Sequence, residues 1–158
     1  MSSRSAVARA AVAPDQVDVR GPRFAAWVTT AVLVATLLVS AFSPAAAAVI
    51  LGAQAVVFAI GAARGPRRHP YGLVFARFVA PRLGPVTERE PTPPLKFAQL
   101  VGLLFAVAGV AGFAAGSAIT GQVATGFALF AAFLNAAFGI CLGCQLYPLF
   151  ARLRTSPA

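Results

Sequence analysis

The sequence is poor in the side chains that do chemistry. Its 158 residues include four acidic side chains, two cysteines and one histidine. Asp15, Asp18, Glu88 and Glu90 all fall in polar stretches, which argues against the intramembrane carboxylates of proton relays and ion-coupled carriers. Two cysteines exclude a disulfide framework, and with the lone His69 they fall short of the four ligands of a metal site in one chain. No Ser/His/Asp set or dinucleotide fingerprint occurs. Gly121-x-x-x-x-Gly126 lacks the Lys-Ser/Thr that completes a phosphate-binding loop. No cofactor and no resident metal are expected.

Charge is missing over two long runs, from Arg23 to Arg64 and from Lys96 to Arg152. Each exceeds the ~20 apolar residues that cross a bilayer core and is long enough to cross twice. The composition, 59% hydrophobic and 11% charged, is more apolar than a soluble chain of this length can bury. Breaks at Ser43-Pro44 and at Gly116 to Gln122 divide the runs into four helices, about 24–42, 45–63, 97–116 and 123–148. The expected fold is an all-α membrane protein with four transmembrane helices in two hairpins.

The net charge of +9 is sorted by position. Arginines precede the first helix, fill the loop 64–96 with Lys96 and follow the fourth helix; the two short turns carry no charge. This positive-inside pattern predicts both termini and the middle loop in the cytoplasm. It also accounts for the basic balance through the bilayer and its anionic headgroups, with no nucleic-acid partner. Residues 1–16 read as a disordered cytoplasmic N-terminus, 17–153 as one four-helix transmembrane domain and 154–158 as a cytoplasmic tail. The first apolar stretch is longer than the ~7–15 residues of a signal-peptide core, so it reads as an uncleaved span despite the following "SPAAAA". The expected location is the bacterial plasma membrane, as a multi-pass protein.

Within the middle loop, "YGLVFARFVAPRLG" has the spacing of a short interfacial amphipathic helix at 71–80, with Tyr71, Phe75 and Phe78 in the membrane surface. "PVTEREPTPPLKF" then reads as an extended connector, because proline blocks helix continuation. An internal duplication is one reading of "RFAAWV" beside "KFAQLV" and of "YGLVFARF" beside "YPLFARL"; it sets Gly61 against Gly139 and Cys141 against Ala63. Ala108, Gly112 and Gly116, and likewise Gly139 and Gly143, have the spacing of small-residue packing ridges.

Inside the spans the polar candidates are Gln54, Gln99 and Asn135. They read either as interhelical hydrogen bonds, on the order of 0.6 to 2 kcal/mol each, or as a lining for a small substrate. Cys141 and Cys144 form a C-x-x-C pair about two turns before Arg152, at the cytoplasmic end of the fourth span. A structural disulfide is unexpected in a reducing compartment. At ~100° per residue the Asn135–Gly139–Gly143 stripe and the cysteine face look opposite ways. Either they meet different neighbours or the helix is broken near Gly139–Gly143. Four readings stand for the pair: small hydrophobes in the packing, a dithiol exchanging with a partner or carrying sulfane sulfur, a metal site shared by two chains of a homodimer, and a gate in a transport path. Cys144, nearer the headgroups and Arg152, is the expected attacking thiol.

Four stretches, "VDVRGPRF", "PRLGP", "EREPTPPLKFAQ" and "LNAAFGICLGCQLY", together resemble a bacterial family of small integral membrane proteins known as domain of unknown function 4395, over roughly 16–153. The resemblance implies the topology and brings no mechanism. Similar proteins are encoded near thioredoxin-like or sulfurtransferase proteins, which implies a partner of that kind. The resulting expectation is a membrane component of thiol-redox or sulfur-transfer metabolism using Cys141 and Cys144. The alternative is a non-enzymatic transporter or assembly subunit for a small sulfur-containing solute, with the cysteines in packing, gating or metal-binding roles.

Overall fold

Lipid offers the backbone no partners, so a run this apolar must form helices that satisfy themselves. In the computed structural model, which describes residues 15–155, it does so four times. Helices α1 (Arg20–Ser40), α2 (Pro44–Arg64), α4 (Thr92–Ala114) and α5 (Ala118–Phe138) are each long and apolar enough to cross a membrane, as in a multi-pass membrane protein. Two shorter helices, α3 (Pro70–Val74) and α6 (Leu142–Thr155), follow the second and fourth spans. A strand β1 (Gln16–Asp18) precedes α1 and pairs antiparallel with β2 (Arg89–Pro91), which precedes α4. Residues 1–14 of the expected disordered N-terminus and 156–158 of the expected tail lie outside the described residues; Gln16 stands in β1 and Arg154 in α6.

Two of the spans begin where the sequence supplies a start. Ser43 caps α2 by accepting from the Ala46 amide, and Pro44 fills the first position. The prolines before the third span act likewise. Pro93 and Pro94 lie in the first turn of α4, where no amide is needed, so the helix starts at Thr92 and the extended connector is shorter than expected. The connector is tied down. Arg20 pairs with Asp18 at 2.8 Å and donates to the Gly84 carbonyl, and Arg67 donates to that of Gln16.

Spans α1 and α2 join through the turn Ala41–Ser43, and α4 and α5 through Ala115–Ser117. Across the bundle α2 lies on α4 and α1 on α5, around a core of Leu33, Leu51, Ala106, Phe113 and Ala128. The close seam runs through Gly102, Gly109 and Gly112. A side-chain carbon on Gly109 would lie 2.5 Å from Leu51, and one on Gly112 2.6 Å from the Gly121 amide. Of the expected ridge, Gly112 is a contact, whereas Gly116 has open space around it and ends the turn at φ +80°.

Two sequence expectations are corrected. The fourth span ends at Phe138 rather than at residue 148. Gly139 adopts φ +70°, a left-handed conformation that closes a helix, and Ile140 donates back to the Leu134 carbonyl. The segment at 71–80 is α3 followed by a π turn, and of its three aromatic residues only Phe78 is exposed. Phe75 is 6% exposed and lies on Gly21 and Phe24, Tyr71 bonds to Gln54, and Phe78 is 57% exposed. The aromatic residues that read as lipid anchors are therefore divided, Phe75 and Tyr71 serving the protein itself.

The order strand, span, span, positive-φ glycine, short helix occurs twice. Gly65 (φ +80°) follows α2 as Gly139 follows α5. The segment from α3 through the π turn lies on α1 as α6 lies on α4, and β1 pairs with β2. The register differs from the one the sequence suggests: Gly139 matches Gly65, not Gly61. His69 and Cys141 each stand immediately before the short helix of their half, four residues after Gly65 and two after Gly139.

Candidate functional site

The glycine break turns the chain so that Cys141 immediately precedes α6 and Cys144 stands in its first turn. The Cys141 carbonyl accepts from the Gln145 amide, and the Cys144 amide donates to Cys141 Sγ at 3.2 Å. Sulfur here does the work of a capping oxygen. The two cysteines are joined as a disulfide, with Cα atoms 5.2 Å apart. The sequence expectation is against a structural disulfide; the pair nevertheless stands oxidised here. Of the two alternatives for the fourth span, the broken helix holds, and the break supplies a turn in which the sulfurs can meet. A metal shared between chains also loses its donors, because disulfide sulfurs offer no thiolate.

The break is held from both sides. Arg23 Nη2 donates to the Ala136 carbonyl at 3.4 Å, a cation at a helix C-terminus. On the other side α6 rests on the start of α4. A side-chain carbon on Gly143 would lie 2.6 Å from Ala98 Cα, and Phe97 meets the rings of Tyr147 and Phe150 at 6.0 and 5.1 Å. Pro148 lacks the amide that would bond the Cys144 carbonyl within α6.

Cys141 lines a cavity of about 340 Å³ between α1, α4, α5 and α6. Gln99 and Asn135, two of the three intramembrane polar candidates, are on its wall with Thr29. Phe58, Phe105, Phe127 and Phe130 supply much of the apolar remainder. The third candidate, Gln54, is elsewhere. It is buried in α2 and accepts from the Tyr71 hydroxyl at 2.7 Å, while its Nε2 has no partner.

A second polar group adjoins the cavity. His69 is 3% exposed, its ring 5.2 Å from that of Tyr71, and neither of its nitrogens has a hydrogen-bond partner. It lines a small recess that shares Pro22, Leu95 and Gln99 with the larger cavity. A side-chain carbon on Gly61 would lie 2.6 Å from the His69 ring and 2.9 Å from Gln99, so only glycine admits both there. Burial pushes the His69 imidazole below its usual pKa, and the nearby Gln99 amide offsets this in part. Gln99 Oε1 is itself buried without a partner.

Sequence reasoning set His69 aside as remote and put Tyr71 in the lipid surface. The signal that locates them is the pair Gly65 and Pro70. A glycine ending a helix and a proline opening the next place His69 at the start of a new helix folded back on the bundle. A family model described as Domain of unknown function (DUF4395) matches residues 17–152. No curated protein and no solved structure matches the chain.

Proposed function

The chain belongs to the Domain of unknown function (DUF4395) family, and from its own residues we propose that it is a membrane component of thiol-redox or sulfur-transfer metabolism, with Cys141 and Cys144 as the active pair. One observation carries this reading: the disulfide closes at the first turn of a helix, just after a glycine break, with Cys141 on a cavity wall. In the orientation favoured by charge, N-terminus and C-terminus inside, this end of the bundle faces the cytoplasm of a bacterial cell. Disulfides in reducing compartments are mostly transient ones that serve catalysis or sensing.

The same geometry supports a division of roles between the two sulfurs. A thiolate at a helix N-terminus is stabilised by the helix dipole and by amide donors. Cys141 has both, through the start of α6 and the Cys144 amide. In this reading Cys141 is the attacking thiol, in place of Cys144. In the oxidised form, a partner thiolate attacks Cys141 Sγ, the S–S bond breaks and Cys144 leaves as the thiolate. A second partner thiol then displaces Cys141, so the partner is oxidised by two electrons and the pair is reduced. A thioredoxin-like or sulfurtransferase partner suits this exchange. The transporter reading retains one supporting feature, the cavity itself; a carrier would move its solute with both thiols alkylated.

The test is a redox titration of the purified chain in lipid nanodiscs against glutathione, read by differential alkylation. The reading expects a reversible two-electron transition in the folded protein. After reduction, Cys141 is alkylated faster than Cys144 at neutral pH. A pair that stays oxidised until the protein unfolds would make it a brace and end the redox reading.

A further inference from the structure

A pair that cycles needs a second reactant on its membrane side, and the cavity indicates which kind. Resting on the proposed redox role of the pair, we infer that the cavity beside Cys141 binds a membrane-soluble quinone, which accepts the electrons of the reduced pair.

The opening lies toward lipid. Phe127 and Phe130 line the cavity and are each 58% exposed on a face of α5 that a membrane span turns outward. A water-soluble reactant would have to cross that apolar rim, whereas a lipid-dissolved one enters directly. The volume, about 340 Å³, is at the lower end of small-molecule sites, which run from roughly 300 to 1,000 Å³. It suits a ring headgroup whose isoprenoid tail stays between the phenylalanines and the lipid.

The polar atoms match both states of such a ring. Buried polar groups are nearly always paired, so unpaired ones need an account. Gln99 stands on the cavity wall with its Oε1 buried and unpaired toward Gly61, and the unpaired imidazole of His69 fills the recess directly behind. The Gln99 amide N–H can donate to a quinone carbonyl, and an amide oxygen that faces the cavity can accept from the hydroxyl of the quinol. Asn135 offers a second amide on the same wall.

The reaction balances without a further reactant. Two S–H bonds break and one S–S bond forms between Cys141 and Cys144. The two electrons pass to the ring, and the two protons leave the thiols for the ring oxygens, converting two carbonyls to hydroxyls.

The experiment uses the full chain in nanodiscs, reduced with dithiothreitol and freed of it. Decylubiquinone or diamide is then added, and thiol loss and quinol absorbance are followed together. We expect a quinol for each pair oxidised. In Gln99→Leu, which removes one hydrogen-bonding group, the quinone rate relative to the diamide rate should fall about tenfold; Ala131→Phe, which fills the cavity, should lower the ratio further. If diamide oxidises the pair and quinone does not, the quinone site is wrong while the redox role stands. If neither oxidises it, both fail. If both variants keep the wild-type ratio, the quinone reacts outside this cavity and the site is wrong.

Discussion

Gly143 sets how closely the sulfurs stand to the bundle. Its missing side chain lets α6 rest on the bare backbone of Ala98. Gly143→Val is expected to push α6 off α4, destabilising the fold by roughly 1–3 kcal/mol as overpacked contacts do. Thermal unfolding in detergent should show the loss, and dithiothreitol should reduce the loosened pair faster. His69 makes a different prediction. Its folded pKa lies below the ordinary value of 6.5 because burial disfavours the charged ring. Above that value both states are neutral and nothing is lost. As pH falls below it, the unfolded chain takes the proton first, so stability drops until the folded pKa is reached. Thermal stability should therefore decline as the pH falls below about 6.5, and His69→Gln should flatten that slope. At this scale the cysteines could be read directly, because C-x-x-C is a local pattern. His69 could not, since its burial depends on Gly61 and Gln99, both distant in sequence.

Among the elements, the four spans were legible because bilayer thickness fixes their length and charge cannot enter it. The break in the fourth was not. Apolar residues continue from Phe138 through Ile140 to Leu142, and hydropathy does not register the dihedral of Gly139. Two alternatives followed from the opposed faces of Asn135 and the cysteines, and only tertiary contacts could choose between them. The middle loop shows the same limit. Its helical spacing was visible, but which aromatics turn inward depends on α1. Phe75 beneath Phe24 and Gly21 is a core residue, so Phe75→Ala should cost about 3–5 kcal/mol and open 64–95 to protease. Phe78→Ala, on the outward face, should change cleavage little. Equal effects of the two would contradict the packing described.

At the scale of the whole molecule the same order of elements occurs twice, with His69 before the short helix of one half and Cys141 before that of the other. Short sequence matches set Gly139 against Gly61, whereas the order of elements and the positive φ set it beside Gly65, which no sequence pattern displays. The proposed orientation rests on charge placement alone. In a Cys141→Ser/Cys144→Ser background, single cysteines at Ser43 and Ser117 should react with an impermeant maleimide on intact cells, and one at Thr92 should not; the reverse pattern would put the pair on the outer side. The most direct measurement of the central claim is mixed-disulfide trapping in cells. Cys144→Ser leaves Cys141 without its resolving thiol, so an exchange intermediate formed on Cys141 should persist as a reducible, higher-mass species. Cys141→Ser should accumulate far less. If neither variant traps a partner, or both trap alike, Cys141 and Cys144 are not an exchanging pair led by Cys141.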